Sequence, residues 1–327
     1  MLPLFLLVGK PKFKKAHLTG KSPNYIIYFI HAMISNDPLV TRMRAFHAFW
    51  SAPNRLRSGG AVSIPDYELL TLMLSALKWR ALNGSIRMVT DSSGAAFFAR
   101  AGLTGLWDEG VDTALDEMDP ALDPGLFWAA GKLEALRRTP APCVMLDTDM
   151  VFWSDIGTHL SDAAVAAHRE TLDPAVYPDP AVFSLAPDYA FPPEWDFSLP
   201  AANTAFLYMP DEGLKTYYTD EAFRFMRALR GGGLDPVVTM CFAEQRLLPM
   251  CAAARGVELR TLLYENEQDA QDFVTHLWGH KSILADSPRE RVAFCLGCTM
   301  RIVSDFPAWA DALARNPQTR PYLNGIE

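Results

Sequence analysis

The stretch Cys143-Val-Met-Leu146-Asp147-Thr148-Asp149-Met-Val-Phe-Trp153 runs four apolar residues into two acids and returns at once to apolar residues. Pro140-Ala-Pro142 breaks the chain before it. A short continuous apolar run with such a boundary suits a buried strand. In open α/β sheets, ligands bind at the carboxyl ends of strands, which is where Asp147 and Asp149 fall. Two carboxylates two residues apart in a turn can point at one ligand, yet they repel each other unless a cation lies between them. Mg²⁺ and Mn²⁺ accept carboxylate oxygens and bridge naturally to phosphate. The plainer use of such a pair is capping or turn formation on a surface loop. Apolar flanks on both sides argue instead for a pair held at the edge of a core.

Outward from this point, strand-like and helix-like runs alternate. Tyr25-Ile-Ile-Tyr-Phe-Ile30 reads as a buried strand. Asp66 to Leu82 carries helical apolar spacing, with Ser63 and Pro65 before it and Asn83-Gly84 to stop it. Ile86 to Thr90 is a strand ending at Asp91. Ser92 is placed to cap a helix to Ala101, closed by Gly102, and Asp91 before it can serve as that N-cap equally well. After an acidic stretch from Asp108 to Asp123, a helix is expected from about Pro124 to Arg138. This alternation predicts a three-layer α/β sheet. Beyond residue 150, residues 171–200 are rich in proline and aromatics and read as a long ordered loop, often a binding surface. Asn203 to Met209 reads as a strand, Leu214 to Arg230 as a helix, Gly231-Gly-Gly233 as a turn, Thr239 to Arg255 as a helix and Leu259 to Tyr264 as a strand.

Composition bounds the possibilities. The 327 residues are 50% hydrophobic and 21% charged, which excludes a disordered chain. Lys and Arg total 30 against 38 Asp and Glu, so the net charge of −8 argues against a generic nucleic-acid or anionic-membrane binder. Five cysteines suit a reducing compartment better than a disulfide framework, and Cys295-Leu-Gly-Cys298 stands alone without further zinc ligands at suitable spacing. The apolar tip Met1–Val8 precedes its lysines rather than following them and is too short to cross a bilayer. No integral membrane segment is expected. A cytoplasmic setting is, with peripheral contact at the inner membrane face as the most the basic-apolar tip would add.

With its neighbours, the D-x-D resembles the metal and nucleotide-sugar site of GT-A-type glycosyltransferases. Trp128-Ala-Ala-Gly-Lys132-Leu-Glu-Ala-Leu136 is placed like the helix before the D-x-D strand, where a basic residue faces the nucleotide-sugar. Ala202-Asn203-Thr-Ala-Phe-Leu-Tyr208 is similar to the strand whose opening Asn borders the sugar pocket. Glu244-Gln245 resembles an acidic-Gln pair on the next helix. Thr275-His276-Leu-Trp-Gly279-His280-Lys281 is similar to the C-terminal H-x-x-G segment, in which a His completes the metal site and a Lys meets the diphosphate. Here Lys281 follows Gly279 one residue sooner than in glycogenin-like members. The resemblance spans roughly residues 24 to 285, and the order of its motifs supports it more than any one of them.

The resemblance implies a Rossmann-like three-layer GT-A fold with a mixed central sheet, as a single domain over 1–327. Residues 24–150 would form the nucleotide-sugar half and 151–327 the half that meets the acceptor and completes the metal site. It implies a hexosyltransferase-type enzyme moving a sugar from a nucleotide-diphospho-sugar, UDP-linked by expectation, to a glycan or other hydroxyl acceptor, with surface glycan synthesis as a setting. Mn²⁺ or Mg²⁺ would be held by Asp147, Asp149 and His276, with His280 the alternative imidazole. Asp91, Lys132, Asp147, Asn203 and Lys281 would contact the nucleotide-sugar. Glu244 and Asp196 are the candidate catalytic carboxylates, with Glu194 a further one. Of Trp153, Trp195 and Trp278, any of which can stack on a sugar, Trp195 in the proline-rich loop is the best placed.

Two other readings compete. Asp147-Thr-Asp149-Met-Val151 also fits the D-x-D-x-[T/V] pattern of haloacid-dehalogenase-like phosphatases, for which Ser304-Asp305 would have to supply a second acidic strand end. A carbohydrate-binding relative without turnover would keep the same residues.

Overall fold

The computed structural model describes residues 43–231, 233–263 and 273–325. The strand expected at Tyr25–Ile30, the tip at Met1–Val8 and the last residue of the strand expected to reach Tyr264 lie outside them. Residues Met43–Glu327 cluster as one unit. Its strands are β1 (Met43–Phe49), β2 (Gly84–Thr90), β3 (Val111–Asp112), β4 (Cys143–Leu146), β5 (Met150–Phe152), β6 (Ala164–Glu170), β7 (Ala201–Met209), β8 (Leu259–Thr261) and β9 (Val274–His276). Seven form one sheet in the order β3-β2-β1-β4-β7-β6-β8, and β7 alone runs against the others. The expected α/β architecture with a mixed central sheet is therefore what the chain adopts. The first strand of the described sheet is β1, which the sequence pattern did not mark.

The helices are α1 (Ser51–Arg57), α2 (Asp66–Leu82), α3 (Ser92–Arg100), α4 (Ala130–Arg138), α5 (Glu212–Ala228), α6 (Pro236–Cys241), α7 (Leu247–Ala254), α8 (His280–Asp286) and α9 (Pro288–Asp305), followed by two short ones, α10 (Ala310–Arg315) and α11 (Arg320–Asn324). One core joins α2 and α9 to one face of the sheet through Leu69, Leu70, Met73, Trp79 and Cys298. The other joins α4, α5, α6 and α7 through Leu133, Leu136, Tyr218, Phe225 and Leu247. Helix α2 is apolar nearly all round because it is covered on every side, as a helix in the middle of a layer must be. Its end is set by Gly84, whose φ of +146° favours glycine and where a Cβ would lie 2.1 Å from the Met43 carbonyl oxygen. That approach lets β2 begin hard against the start of β1.

Of the two candidate caps of α3, the chain uses Asp91, whose Oδ1 accepts from Gly94 N at 2.8 Å, and Ser92 is the first helical residue. One local expectation is corrected. Helix α4 starts at Ala130 rather than near Pro124. Asp123 Oδ1 accepts from Gly125 N at 2.7 Å, so residues 123–129 form turns before the helix begins.

Candidate functional site

The D-x-D turn lies at the carboxyl end of β4, in the middle of the sheet. Asp147 N donates to Ala205 O of β7 at 2.7 Å, and Met150 N closes the turn on Asp147 O at 3.2 Å. The chain then enters β5, which pairs antiparallel with β9 in the register Met150↔His276, Val151↔Thr275 and Phe152↔Val274. Leu277 N donates to Asp149 O at 3.0 Å. This pairing carries His276 across 127 residues of sequence to the acids. One ligand atom from each of Asp147, Asp149 and His276 lies within 4.8 Å of the others. His280, the first residue of α8, is exposed.

Two lysines hold the carboxylates. Lys281 Nζ is 2.8 Å from Asp149 Oδ2. Lys132 Nζ, from α4, is 2.7 Å from Asp147 Oδ1 and 2.5 Å from Glu244 Oε1. Lys132 can reach in because residue 131 is glycine: a Cβ there would sit 2.5 Å from the Trp50 Cβ. Glu244 lies on a π-helical turn, Phe242–Arg246, between α6 and α7, a kind of bulge that often marks functional positions. Its Oε1 also accepts from Thr204 Oγ1 at 2.6 Å, and Tyr218 OH donates to its carbonyl. Glu244 is buried and shared between Lys132 and Thr204, which makes it a support for Lys132.

The electrostatics follow from burial and these pairs. Burial pushes Asp147 up, Lys132 opposes it, and nearby Asp149 and Glu244 add to the rise, leaving its pKa at about 6. Burial acts the same way on Asp149, but Lys281 and His276 outweigh it and hold its carboxyl below the usual value. Desolvation pushes His276 down to about 4 despite the attraction of Asp149, so its imidazole is neutral near pH 7. For Lys132, desolvation is offset by Asp147 and Glu244, which raise it well above the ordinary lysine range.

The remaining expected residues divide. Asn203 is buried beside the cluster: its Nδ2 donates to Glu170 Oε1 at 2.9 Å and its Oδ1 accepts from Ala205 N. Asp91 is not brought to the cluster. Both its oxygens serve helix starts, Oδ2 accepting from Ser51 N at 2.9 Å and Oδ1 capping α3. Asp196 is exposed and accepts from Ser198 N and Oγ, a local turn in the 171–200 segment. Trp195 is buried among Phe191, Phe197 and the Tyr217 hydroxyl, which removes it as a free stacking surface. The aromatic at the site is Trp278. Cys295 and Cys298 are buried free thiols on α9, and burial pushes Cys295 up to about 12.

Sequence reasoning missed His47, Ser75, His168 and Glu170. Trp107 Nε1 donates to His47 Nδ1 at 3.2 Å, so His47 Nε2 carries the proton and donates to Ser75 Oγ at 3.0 Å. Ser75 Oγ in turn donates to Met150 O at 2.6 Å, one residue after Asp149. This fully buried chain fixes the start of β5 to α2 and β1. His168 and Glu170 end β6 beside Asn203, and the signal that could have found them is the H-x-E closing the small-residue run Ala164-Val-Ala-Ala.

The profile of a family of unknown function, DUF6734, matches residues 43–283. No curated protein matches the chain. Several solved glycosyltransferase structures are similar at low identity. PaToxG glycosyltransferase is 9% identical, with 92% of this chain and 94% of that one covered and a TM-score of 0.38. The glycosyltransferase GlyE of Streptococcus pneumoniae TIGR4 is 11% identical, with 70% and 46% covered and a TM-score of 0.31, so this chain spans less than half of its length. Mouse xyloside xylosyltransferase 1 is 14% identical, with 63% and 83% covered and a TM-score of 0.31.

Proposed function

The chain belongs to the family of unknown function DUF6734, and from the chemistry of its site we propose a metal-dependent glycosyltransferase. It would move a sugar from a nucleotide diphosphate, UDP before GDP, to a hydroxyl acceptor. The observation that carries this reading is the convergence of Asp147, Asp149 and His276 at the end of β4, with a lysine on each carboxylate. Two carboxylates and a neutral imidazole are a donor set that fits Mn²⁺, and Mg²⁺ less closely because it prefers oxygen alone.

A cation held there supplies positive charge where the diphosphate leaving group becomes more negative as the glycosidic bond breaks. The chain's own residues do the rest. Lys281 lies on the open side of Asp149 and is long enough to share its ammonium with a diphosphate oxygen. Lys132 is engaged on both sides and keeps Asp147 turned into the site, with Glu244 and Thr204 as its supports. Asn203 stands on the sheet side, where sugar hydroxyls need polar partners.

The phosphatase reading needs a second acidic strand end. Asp305 instead ends helix α9 and is paired with Lys78 at 2.5 Å and Arg301 at 2.6 Å. The test is a panel of UDP- and GDP-sugars with and without Mn²⁺, followed by release of the nucleoside diphosphate. Metal-dependent release is expected. Turnover of a simple phosphomonoester with no release from any nucleotide-sugar would overturn the reading. Among the described residues no helix is long and apolar enough to cross a membrane.

A further inference from the structure

Trp278 is 58% exposed although it lies two residues from His276 and three from Lys281. Its indole is tilted only 23° from the His276 ring, with centroids 6.5 Å apart, and meets the His168 ring edge-on at 6.3 Å. Its position is thus fixed by two imidazoles while much of its surface faces solvent. His168 is buried, and its Nδ1 donates to Arg169 O at 3.0 Å. That leaves Nε2 turned toward Glu170 Oε1, 3.7 Å away. This separation is longer than a hydrogen bond, so both acceptors stay open, each to a hydroxyl donor of its own.

Glu170 differs from the other acids here. Asp147, Asp149 and Glu244 each hold a lysine, whereas Glu170 has no Lys or Arg within 4.0 Å among the described residues. Its hydrogen-bond partner is the Asn203 amide, which leaves acceptor capacity on a partly exposed carboxylate.

A fixed indole beside a free carboxylate, an amide and a ring nitrogen matches a pyranose. The ring's C–H face packs on the aromatic while its hydroxyls donate to the carboxylate. We propose that Trp278, His168 and Glu170 form a subsite for a pyranose acceptor, adjoining the acidic cluster. Sugar transfer to the bound pyranose rests on the glycosyltransferase reading, but the subsite is defined by this chain's own groups. It also puts Trp278 in place of Trp195, the expected stacking aromatic of the 171–200 loop, which is buried.

The test is saturation-transfer NMR on the full chain with Mn²⁺ and UDP, using methyl glucoside, galactoside, mannoside and N-acetylglucosaminide as probes. At least one glycoside should receive saturation from the wild type. Trp278→Ala should abolish that signal, and Glu170→Gln should weaken binding about tenfold, the loss of one charge-assisted hydrogen bond. Calorimetric Mn²⁺–UDP binding should stay at the wild-type value in Glu170→Gln, whose carboxylate pairs with none of the acidic cluster's lysines. No glycoside signal in the wild type, or an unchanged one in both variants, overturns the subsite. Failure of the wild type to bind Mn²⁺–UDP overturns the transferase reading instead, so the two outcomes are separable.

Discussion

Lys281 Nζ lies 2.8 Å from Asp149 Oδ2, so the second acid of the D-x-D is paired with a lysine 132 residues later in the chain. The same segment delivers His276, because β9 pairs with β5 directly after the acids. The proposed cation site therefore depends on a strand pairing as much as on the D-x-D itself.

Asp149→Ala is expected to abolish Mn²⁺-dependent UDP binding without unfolding the protein. His276→Ala should weaken metal affinity by more than the about 10- to 100-fold that losing a mere outer-shell partner of a ligand costs. His280→Ala should leave affinity unchanged, since that side chain is exposed at the start of α8. Calorimetry on the three variants distinguishes them, and equal effects of the two histidine substitutions would contradict the assignment.

Lys132→Met is expected to destabilise the fold by roughly 3–5 kcal/mol, because it leaves two carboxylates without their cation in a buried site. Urea denaturation should show a lower midpoint, and adding Glu244→Gln should recover part of the loss. A Lys132→Met protein as stable as the wild type would mean that the Asp147–Lys132–Glu244 pairing contributes nothing to stability.

Gly131→Ala places a Cβ 2.5 Å from the Trp50 Cβ, with the Leu115 Cδ1 at 3.2 Å. Overpacking of this kind costs about 1–3 kcal/mol. It also displaces the helix turn that carries Lys132, so nucleotide binding should weaken together with stability. Thermal melts and Mn²⁺–UDP titrations of the same variant test both halves of that expectation.

His47 is fully buried, and desolvation lowers its pKa from 6.5 to about 3 against a smaller opposing pull from Asp149. Its neutral ring accepts from Trp107 and donates to Ser75. A depressed histidine favours the folded state fully above pH 6.5, and the contribution shrinks as pH falls from 6.5 toward 3, because the unfolded chain takes up the proton first. The stability gap between wild type and His47→Gln should therefore narrow on acidification over that window. Parallel denaturation curves at about pH 7.5 and about pH 4.5 read this directly, and a constant gap would sink it.

Much of the scaffold was legible in local pattern. Helix Asp66–Leu82 and strand Cys143–Leu146 fall where spacing and breakers put them. Strand β1 was not legible: Met43-Arg-Ala-Phe-His-Ala-Phe49 has no β-branched residue and becomes a strand because it is flanked by β2 and β4. The π-turn carrying Glu244 was equally invisible, since it depends on contacts made far along the chain, whereas the turns before α4 follow from the local Asp123–Gly125 hydrogen bond.

The sequence by itself determined the α/β class and the strand that ends in Asp147 and Asp149, which depend on side chains within a few residues of one another, and periodicity records such neighbours. The segment containing His276 and Lys281 was marked only by its resemblance to the C-terminal H-x-x-G segment of GT-A glycosyltransferases. Only the tertiary structure decided that His276 rather than His280 meets the acids, that Glu244 supports Lys132, and that Trp278 rather than Trp195 is open to solvent. Those outcomes are set by the β5–β9 register and by which charges become buried together. Both arise from pairings across long stretches of chain, and no local pattern encodes them.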